Sequence, residues 1–242
     1  MTQPDDPRAV AARALPLLDL TELGDACTEA KVAGLCRDAR DGAVAAICIW
    51  PRFVTQGARA LAGTGIAVAT VIDFPDGGED SGRAADDAAE AFRDGAGEID
   101  LVLPYRALLR GDAGIACDVV EAVRDACPEA VLKVILETGE LREPDVIRAA
   151  SRLAIEGGAD FLKTSTGKTP VSATPEAAEI MLAQIIGFGR PCGLKVSGGL
   201  RSVADAAAYL ALADRVMGPD WVRPETFRIG ASSLFGALMR ER

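Results

Sequence analysis

The sequence has no histidine among its 242 residues. That removes His-ligated zinc sites and every relay with an imidazole base, so a proton shuttle must come from Lys, Asp, Glu, Tyr, Cys or water. No apolar run approaches the ~18 residues of a membrane-spanning helix. The N-terminal stretch MTQPDDPRAVAARALP carries acids and lacks a hydrophobic signal core, which argues against secretion. The cysteines (Cys27, Cys36, Cys48, Cys117, Cys127 and Cys192) form no C-x-x-C pair and no disulfide-like framework, and are read as reduced thiols of a cytoplasmic protein. Positive charge is scarce as well: Lys+Arg 26 against Asp+Glu 36 gives a net −10. A surface of that sign disfavours nucleic acid and anionic membranes as partners, and any anion site must be a local feature working against the global field.

What is present is core-forming. Hydrophobic residues make up 49% of the chain, a length that suits one α/β barrel or two small domains. Strand-like runs fall at 15–20, 43–50, 66–73, 98–103, 131–137, 160–165, 193–198 and 226–231. Helical stretches lie between and after them at 28–40, 52–62, 81–94, 105–126, 143–157, 175–188, 202–213 and 232–241. This alternation predicts βαβ units and a parallel sheet. Eight units in about 250 residues predict a single (β/α)8 TIM barrel over 1–242. No linker or composition shift divides the chain, and residues 7–14 are expected to form a short helix closing the barrel bottom.

Strand alternation then sorts the polar residues. In EIDLVL, Ile99, Leu101 and Leu103 share one face, and Glu98, Asp100 and Val102 the other. In VLKVILE, Leu132, Val134 and Leu136 oppose Lys133, Ile135 and Glu137. The aliphatic face should meet the helices, which places Asp100, Lys133, Lys163 and Lys195 inside the barrel or at its mouth, with Asp19 and Cys48 near the ends of strands 1 and 2. Charged groups there are costly unless paired, and barrel active sites lie at the C-terminal strand ends.

GADFLKTSTGK (158–168) is the stretch that most needs explaining. Lys163 ends a short apolar run. As a bland strand-end lysine it would snorkel to water. As a nucleophile for a carbonyl it must be neutral, which burial and a neighbouring cation such as Lys195 would favour. Asp100 either only neutralises Lys133 or Lys195, or also relays protons with Lys195 and a water. Glu137 and Lys133 are read as structural partners rather than primary catalysts. The small-residue loops TSTGK (164–168), SGGLRS (197–202) and IGASS (229–233) follow strands 6, 7 and 8, where barrels bind phosphate, and Lys168 adds a point charge. TGKT resembles the end of a Walker A loop, but the first glycine of that motif would fall at Leu162, so a P-loop is rejected. Cys48, Trp50 and Trp221 are read as packing residues, and the Asp-Gly cluster at 73–82 as a mobile loop over the site.

These stretches carry a resemblance. LLDLTEL (17–23), AAICIWPRFV (45–54), TVIDFPDG (70–77), GEIDLVLPYRAL (97–108), LKVILETGEL (132–141), GADFLKTSTGK (158–168), GLKVSGGLRS (193–202) and RIGASSL (228–234) resemble, in order, the deoxyribose-phosphate aldolases, a class I Schiff-base family. The resemblance implies reversible cleavage of 2-deoxy-D-ribose 5-phosphate to D-glyceraldehyde 3-phosphate and acetaldehyde, with sugar phosphate and aldehyde as the partners, no metal and no cofactor, and a possible homodimer. By motif it implies Lys163 as the Schiff-base lysine and Asp100 with Lys195 as the proton-transfer pair. Gly167, Lys168, Gly198, Gly199, Gly230, Ser232 and Ser233 would hold the phosphate. There are departures. The chain ends SLFGALMRER without the tail tyrosine of some members, which implies slower enamine protonation or one using water alone. Asp73 is an extra carboxylate that would weaken phosphate binding if it pointed inward. Val196-Ser197 stands where some relatives have Pro-Ala, with Ser197 a plausible donor. Two other readings remain open at this point: a Schiff-base barrel aldolase or transaldolase with a different donor, and a non-catalytic barrel that binds sugar phosphate.

Overall fold

The computed structural model describes residues 6–242. Eight parallel strands close into a barrel in chain order, with β8 hydrogen-bonded back to β1. The strands are β1 (Leu18–Glu22), β2 (Ala46–Ile49), β3 (Ala67–Ile72), β4 (Glu98–Val102), β5 (Val131–Ile135), β6 (Phe161–Lys163), β7 (Gly193–Ser197) and β8 (Phe227–Ala231). The helices are α1 (Pro7–Ala14), α2 (Glu29–Gly42), α3 (Val54–Leu61), α4 (Ser81–Arg93), α5 (Tyr105–Leu109), α6 (Ala113–Ala126), α7 (Thr138–Leu141), α8 (Pro144–Glu156), α9 (Pro175–Phe188), α10 (Val203–Met217) and α11 (Leu234–Arg240). This is a (β/α)8 TIM barrel, with the expected short N-terminal helix packed on α10 and α11.

Local chemistry starts the helices. Thr28, Asp80, Thr174 and Ser202 cap α2, α4, α9 and α10 by accepting from a backbone N–H of the first turn, and Ser202 with Asp205 forms a full capping box. The outward faces of the strands supply the core. Ile99, Leu101, Leu132, Val134, Leu162, Leu194 and Ile229 are buried in one cluster with the helices, each worth about 1.5–3 kcal/mol of apolar burial.

The register places charge opposite charge and then amine beside amine. Asp100 pairs with Lys133 across β4 and β5. Lys163 pairs with Lys195 across β6 and β7, and Lys195 with Arg228 across β7 and β8. Alternation thus puts the polar residues on the inner face, as expected.

Several boundaries differ from the sequence pattern. Residues 105–126 are not one helix: Gly111, at φ 92°, breaks the run between α5 and α6. Strand 6 stops at Lys163, so Thr164 and Ser165 belong to the loop. Leu15–Leu17 form a 3-10 turn ahead of β1 rather than strand. The short helix α7 follows Glu137, whose backbone turns left-handed at φ 56° and ends the run of β5.

Candidate active site

Lys163 ends β6, Lys195 lies mid-β7, and Asp100 and Lys133 lie mid-strand on β4 and β5. All four are buried, Asp100, Lys133 and Lys195 completely. Asp100 organises them. Its Oδ2 accepts from Lys163 Nζ and from Lys195 Nζ, both at 2.7 Å, and its Oδ1 accepts from Lys133 Nζ at 2.9 Å. Lys133 Nζ also donates to Glu98 Oε2 at 2.5 Å. Arg228 on β8 donates to Asp19 Oδ1 at 2.7 Å and to Glu98 Oε1 at 2.9 Å. Lys195 Nζ lies 2.5 Å from Asp19 Oδ2, close as an ion pair but without the alignment of a hydrogen bond.

The charge count of this network matters. Four cations, Lys133, Lys163, Lys195 and Arg228, face three carboxylates, Asp19, Glu98 and Asp100. A buried excess charge is costly. The group best placed to shed its proton is the one with fewest carboxylate contacts. Lys133 has three, Lys195 and Arg228 two each, and Lys163 only the shared Asp100. Burial pushes the Lys163 pKa down; Asp100 pulls it up, the Lys195 ammonium presses it down again, and the result lies below the usual lysine value of 10.5. Burial works against charge on Lys133, Lys195 and Arg228 too, but their carboxylates outweigh it and hold all three above their ordinary values. Asp100 is opposed by burial yet held well below the carboxylate range by its three lysines, and Asp19 is likewise lowered by Lys195 and Arg228. The arrangement makes Lys163 give up its proton more readily than Lys195, the direction a carbonyl-directed lysine needs.

Lys163 also lines an open cavity of about 550 Å³ at the C-terminal ends of the strands. Gly167, Lys168, Gly198, Gly199, Gly230, Ser232 and Ser233 line the same cavity. Gly198 and Gly199 have φ of 89° and 87°, a backbone that only glycine takes without strain. At Gly230 a Cβ would come within 2.8 Å of Ser197 Cβ and 2.9 Å of Lys195 Cε, so a larger residue there would press on both. Lys168 Nζ donates to the Leu23 carbonyl at 3.0 Å on the rim.

Other expectations fare differently. Lys133 and Glu137 are not each other's partners: Lys133 binds Glu98 and Asp100, and Glu137 binds Thr166 and Thr169. The 73–82 segment does not cover this cavity. Its Asp73, Phe74, Asp76 and Gly78 line a separate groove beside Trp50 and α4. The Asp73 carboxylate lies against Gly78 and is not part of the lining of the Lys163 cavity. Ser197 lines the cavity, but its hydroxyl donates to the Ser165 carbonyl, so its proton is committed. Cys48 packs inside the barrel with Leu23, Ala69 and Val71, 3.9 Å from Asp100, and burial raises its thiol to about 11. Trp50 and Trp221 pack edge-on against Phe74 and Phe227. Tyr105 and Tyr209 are buried away from the cavity lining.

Sequence reasoning missed Arg228 and the cavity residues Glu22 and Arg201. A stronger signal lies in the lysine count. The chain has only five lysines (Lys31, Lys133, Lys163, Lys168 and Lys195), and four of them meet here.

A closed barrel with a buried amine cluster beneath an open cavity at its C-terminal mouth is the layout of a barrel enzyme, and similar solved structures narrow the class to aldolases. A Coccidioides immitis protein assigned as a deoxyribose-phosphate aldolase is 30% identical, over 99% of this chain and 88% of that one, with a TM-score of 0.85. A Toxoplasma gondii protein assigned likewise is 27% identical, over 97% of each chain, with a TM-score of 0.89. The deoxyribose phosphate aldolase of Aeropyrum pernix, a tetramer, is 26% identical over 96% of this chain and 91% of that one, with a TM-score of 0.78. Residues 13–234 match the DeoC/LacD family of aldolases, and the chain belongs to that family. It is therefore a lyase. Among the described residues no helix is long and apolar enough to cross a membrane.

Proposed function

We propose that this aldolase cleaves 2-deoxy-D-ribose 5-phosphate reversibly to D-glyceraldehyde 3-phosphate and acetaldehyde, through a Schiff base on Lys163. The observation that carries the reading is the single cavity that joins Lys163, at its floor, to Lys168 and the glycine and serine loops at its rim. That cavity matches a substrate with an aldehyde at one end and a phosphate at the other. Acidic overall charge makes such a local cationic and glycine-rich rim informative.

The neutral Lys163 amine attacks C1 of the open-chain sugar, and loss of water gives an iminium. Acetaldehyde retains C1 and C2, so the bond that breaks is C2–C3. Its electron pair flows into the iminium to form an enamine, and the C3 hydroxyl loses its proton as C3 becomes the aldehyde of glyceraldehyde 3-phosphate. The Asp100 carboxylate, paired at 2.7 Å with the Lys195 ammonium, receives that proton through a water, and Lys195 stabilises the charge and passes protons on by exchange with that water. A proton returned to C2 converts the enamine to an iminium, and water releases acetaldehyde and Lys163. The iminium is the electron sink, so the scheme calls on no metal or cofactor. Gly167, Lys168, Gly198, Gly199, Gly230, Ser232 and Ser233 hold the phosphate end.

The test is the product analysis of purified protein with 2-deoxyribose 5-phosphate. Equimolar acetaldehyde and glyceraldehyde 3-phosphate support the reading. Turnover only with a dihydroxyacetone or pyruvate donor would assign a different aldolase reaction to the same barrel.

A further inference from the structure

Glu137 is completely buried, and no step of the proposed reaction uses it. Its backbone is left-handed, with φ 56° and ψ 58°, a conformation uncommon outside glycine, asparagine and aspartate. Both carboxylate oxygens are directed at one loop. Oε2 accepts from the Thr166 hydroxyl at 2.5 Å and the Thr166 N–H at 3.3 Å, and Oε1 lies 3.1 Å from the Thr169 hydroxyl, whose one proton is shared with the Val171 carbonyl at 3.0 Å. The Thr166 oxygen in turn accepts from the Lys168 N–H at 3.0 Å. A chain of hydrogen bonds therefore runs from Glu137 to the backbone of Lys168.

The neighbours of Glu137 fasten the same loop elsewhere. The Thr138 N–H donates to the Thr164 carbonyl at 2.9 Å, and the Thr138 and Ser165 hydroxyls are 3.4 Å apart. A Cβ on Gly139 would fall 2.0 Å from the Val171 carbonyl, so the α7 turn is pressed directly on the far end of the loop. The loop is thus held at both ends and through Thr166 and Thr169, while Gly167 and Lys168 are left to line the cavity. A buried carboxylate is costly without such bonds, and here every one of them comes from the loop that carries Gly167 and Lys168.

We infer that Glu137 is a positioning residue for anion recognition: it holds the Thr166–Thr169 turn so that Gly167 and Lys168 meet the anionic end of the substrate. This inference rests on the sugar-phosphate reading of the cavity. Glu137 itself touches neither the substrate nor the reacting atoms.

The experiment compares Glu137→Ala, Glu137→Gln and Thr169→Val with the wild type. It measures KM and kcat for 2-deoxyribose 5-phosphate, the binding of inorganic phosphate by calorimetry, and borohydride trapping of acetaldehyde. Losing charge-assisted bonds that order the loop should raise KM and weaken phosphate binding about tenfold in Glu137→Ala, with kcat and trapping little changed. Glu137→Gln keeps an acceptor for Thr166 and should recover most of the loss. Thr169→Val leaves Glu137 in place and should show a smaller loss of the same kind, which keeps the test available if Glu137→Ala does not fold. Parallel losses in KM, kcat and trapping, or phosphate binding unchanged in all variants, would overturn the inference. If the wild type neither cleaves the sugar phosphate nor traps acetaldehyde, the proposed reaction fails on its own, and the phosphate-binding comparison still decides the role of Glu137.

Discussion

Lys163 and Lys195 are direct neighbours across β6 and β7, and their side-chain nitrogens both lie 2.7 Å from the same oxygen of Asp100. Two amines on one carboxylate oxygen cannot be equivalent. Lys195 has Asp19 as a second counter-ion and keeps its proton, whereas Lys163 has no other carboxylate and opens to the cavity. That asymmetry is what the proposed division between a nucleophile at 163 and a charged partner at 195 rests on.

Replacing Lys163 should separate function from stability. Lys163→Met should lower the cleavage rate on the order of 10⁴-fold or more, the scale seen when a covalent nucleophile is lost. The fold should survive, because Asp100 keeps Lys133 and Lys195 as partners. A lysine whose folded pKa lies below its unfolded value destabilises the folded state most at pH below the folded pKa, and the penalty fades as pH rises towards 10.5. Thermal melts should therefore show Lys163→Met at least as stable as the wild type at neutral pH, with the difference shrinking in alkali. A large destabilisation at pH 7 would contradict this.

The same electrostatics predict opposite shifts in pH dependence for two neighbours. The rate of imine formation with acetaldehyde should rise with pH as Lys163 deprotonates, with a midpoint below 10.5. Lys195 presses that midpoint down and Asp100 holds it up. Lys195→Met should move it to higher pH and Asp100→Asn to lower pH. Imine formation is the right readout because it precedes the proton transfers proposed for these residues. Shifts of the same sign would refute the charge assignment.

Lys168 supplies the only lysine on the rim of the cavity. Lys168→Ala should raise KM for the phosphorylated sugar about 10- to 100-fold, the value of a charged hydrogen bond. Cleavage of unphosphorylated deoxyribose should change little. Equal losses on both substrates would count against a phosphate role.

Glu98 serves a purely electrostatic purpose beneath the site. It joins Lys133 to Arg228, and all three are buried. Glu98→Ala leaves two buried cations short of a partner and should cost about 3–5 kcal/mol in denaturant unfolding. A cost below 1 kcal/mol would show that Asp19 and Asp100 alone satisfy the network.

Much of this was legible in the sequence because strand alternation is strict. Once EIDLVL and VLKVILE are placed in a barrel, Asp100 and Lys133 must face inward, and the structure pairs them. That Gly167, Gly198, Gly199 and Gly230 meet around one cavity was legible because glycines cluster at successive strand ends. Less legible was anything fixed by long-range packing. Arg228 shares the inner face with Gly230, but nothing local says that it reaches Asp19 and Glu98, 209 and 130 residues away. The 73–82 loop looked like a cover for the site from its composition alone; its actual direction depends on how Asp73, at φ 54°, turns the chain after β3. Glu137 was read with Lys133 because they alternate together, yet its left-handed backbone ends the strand and hands its carboxylate to the next loop.

The central claim is the identity of the nucleophile, and borohydride reduction in the presence of acetaldehyde, followed by peptide mass mapping, tests it most directly. With only five lysines in the chain the assignment is unambiguous. A reduced two-carbon adduct is expected on Lys163 and absent from Lys163→Met. An adduct on Lys195 or Lys168 instead, or none on folded protein, would contradict it.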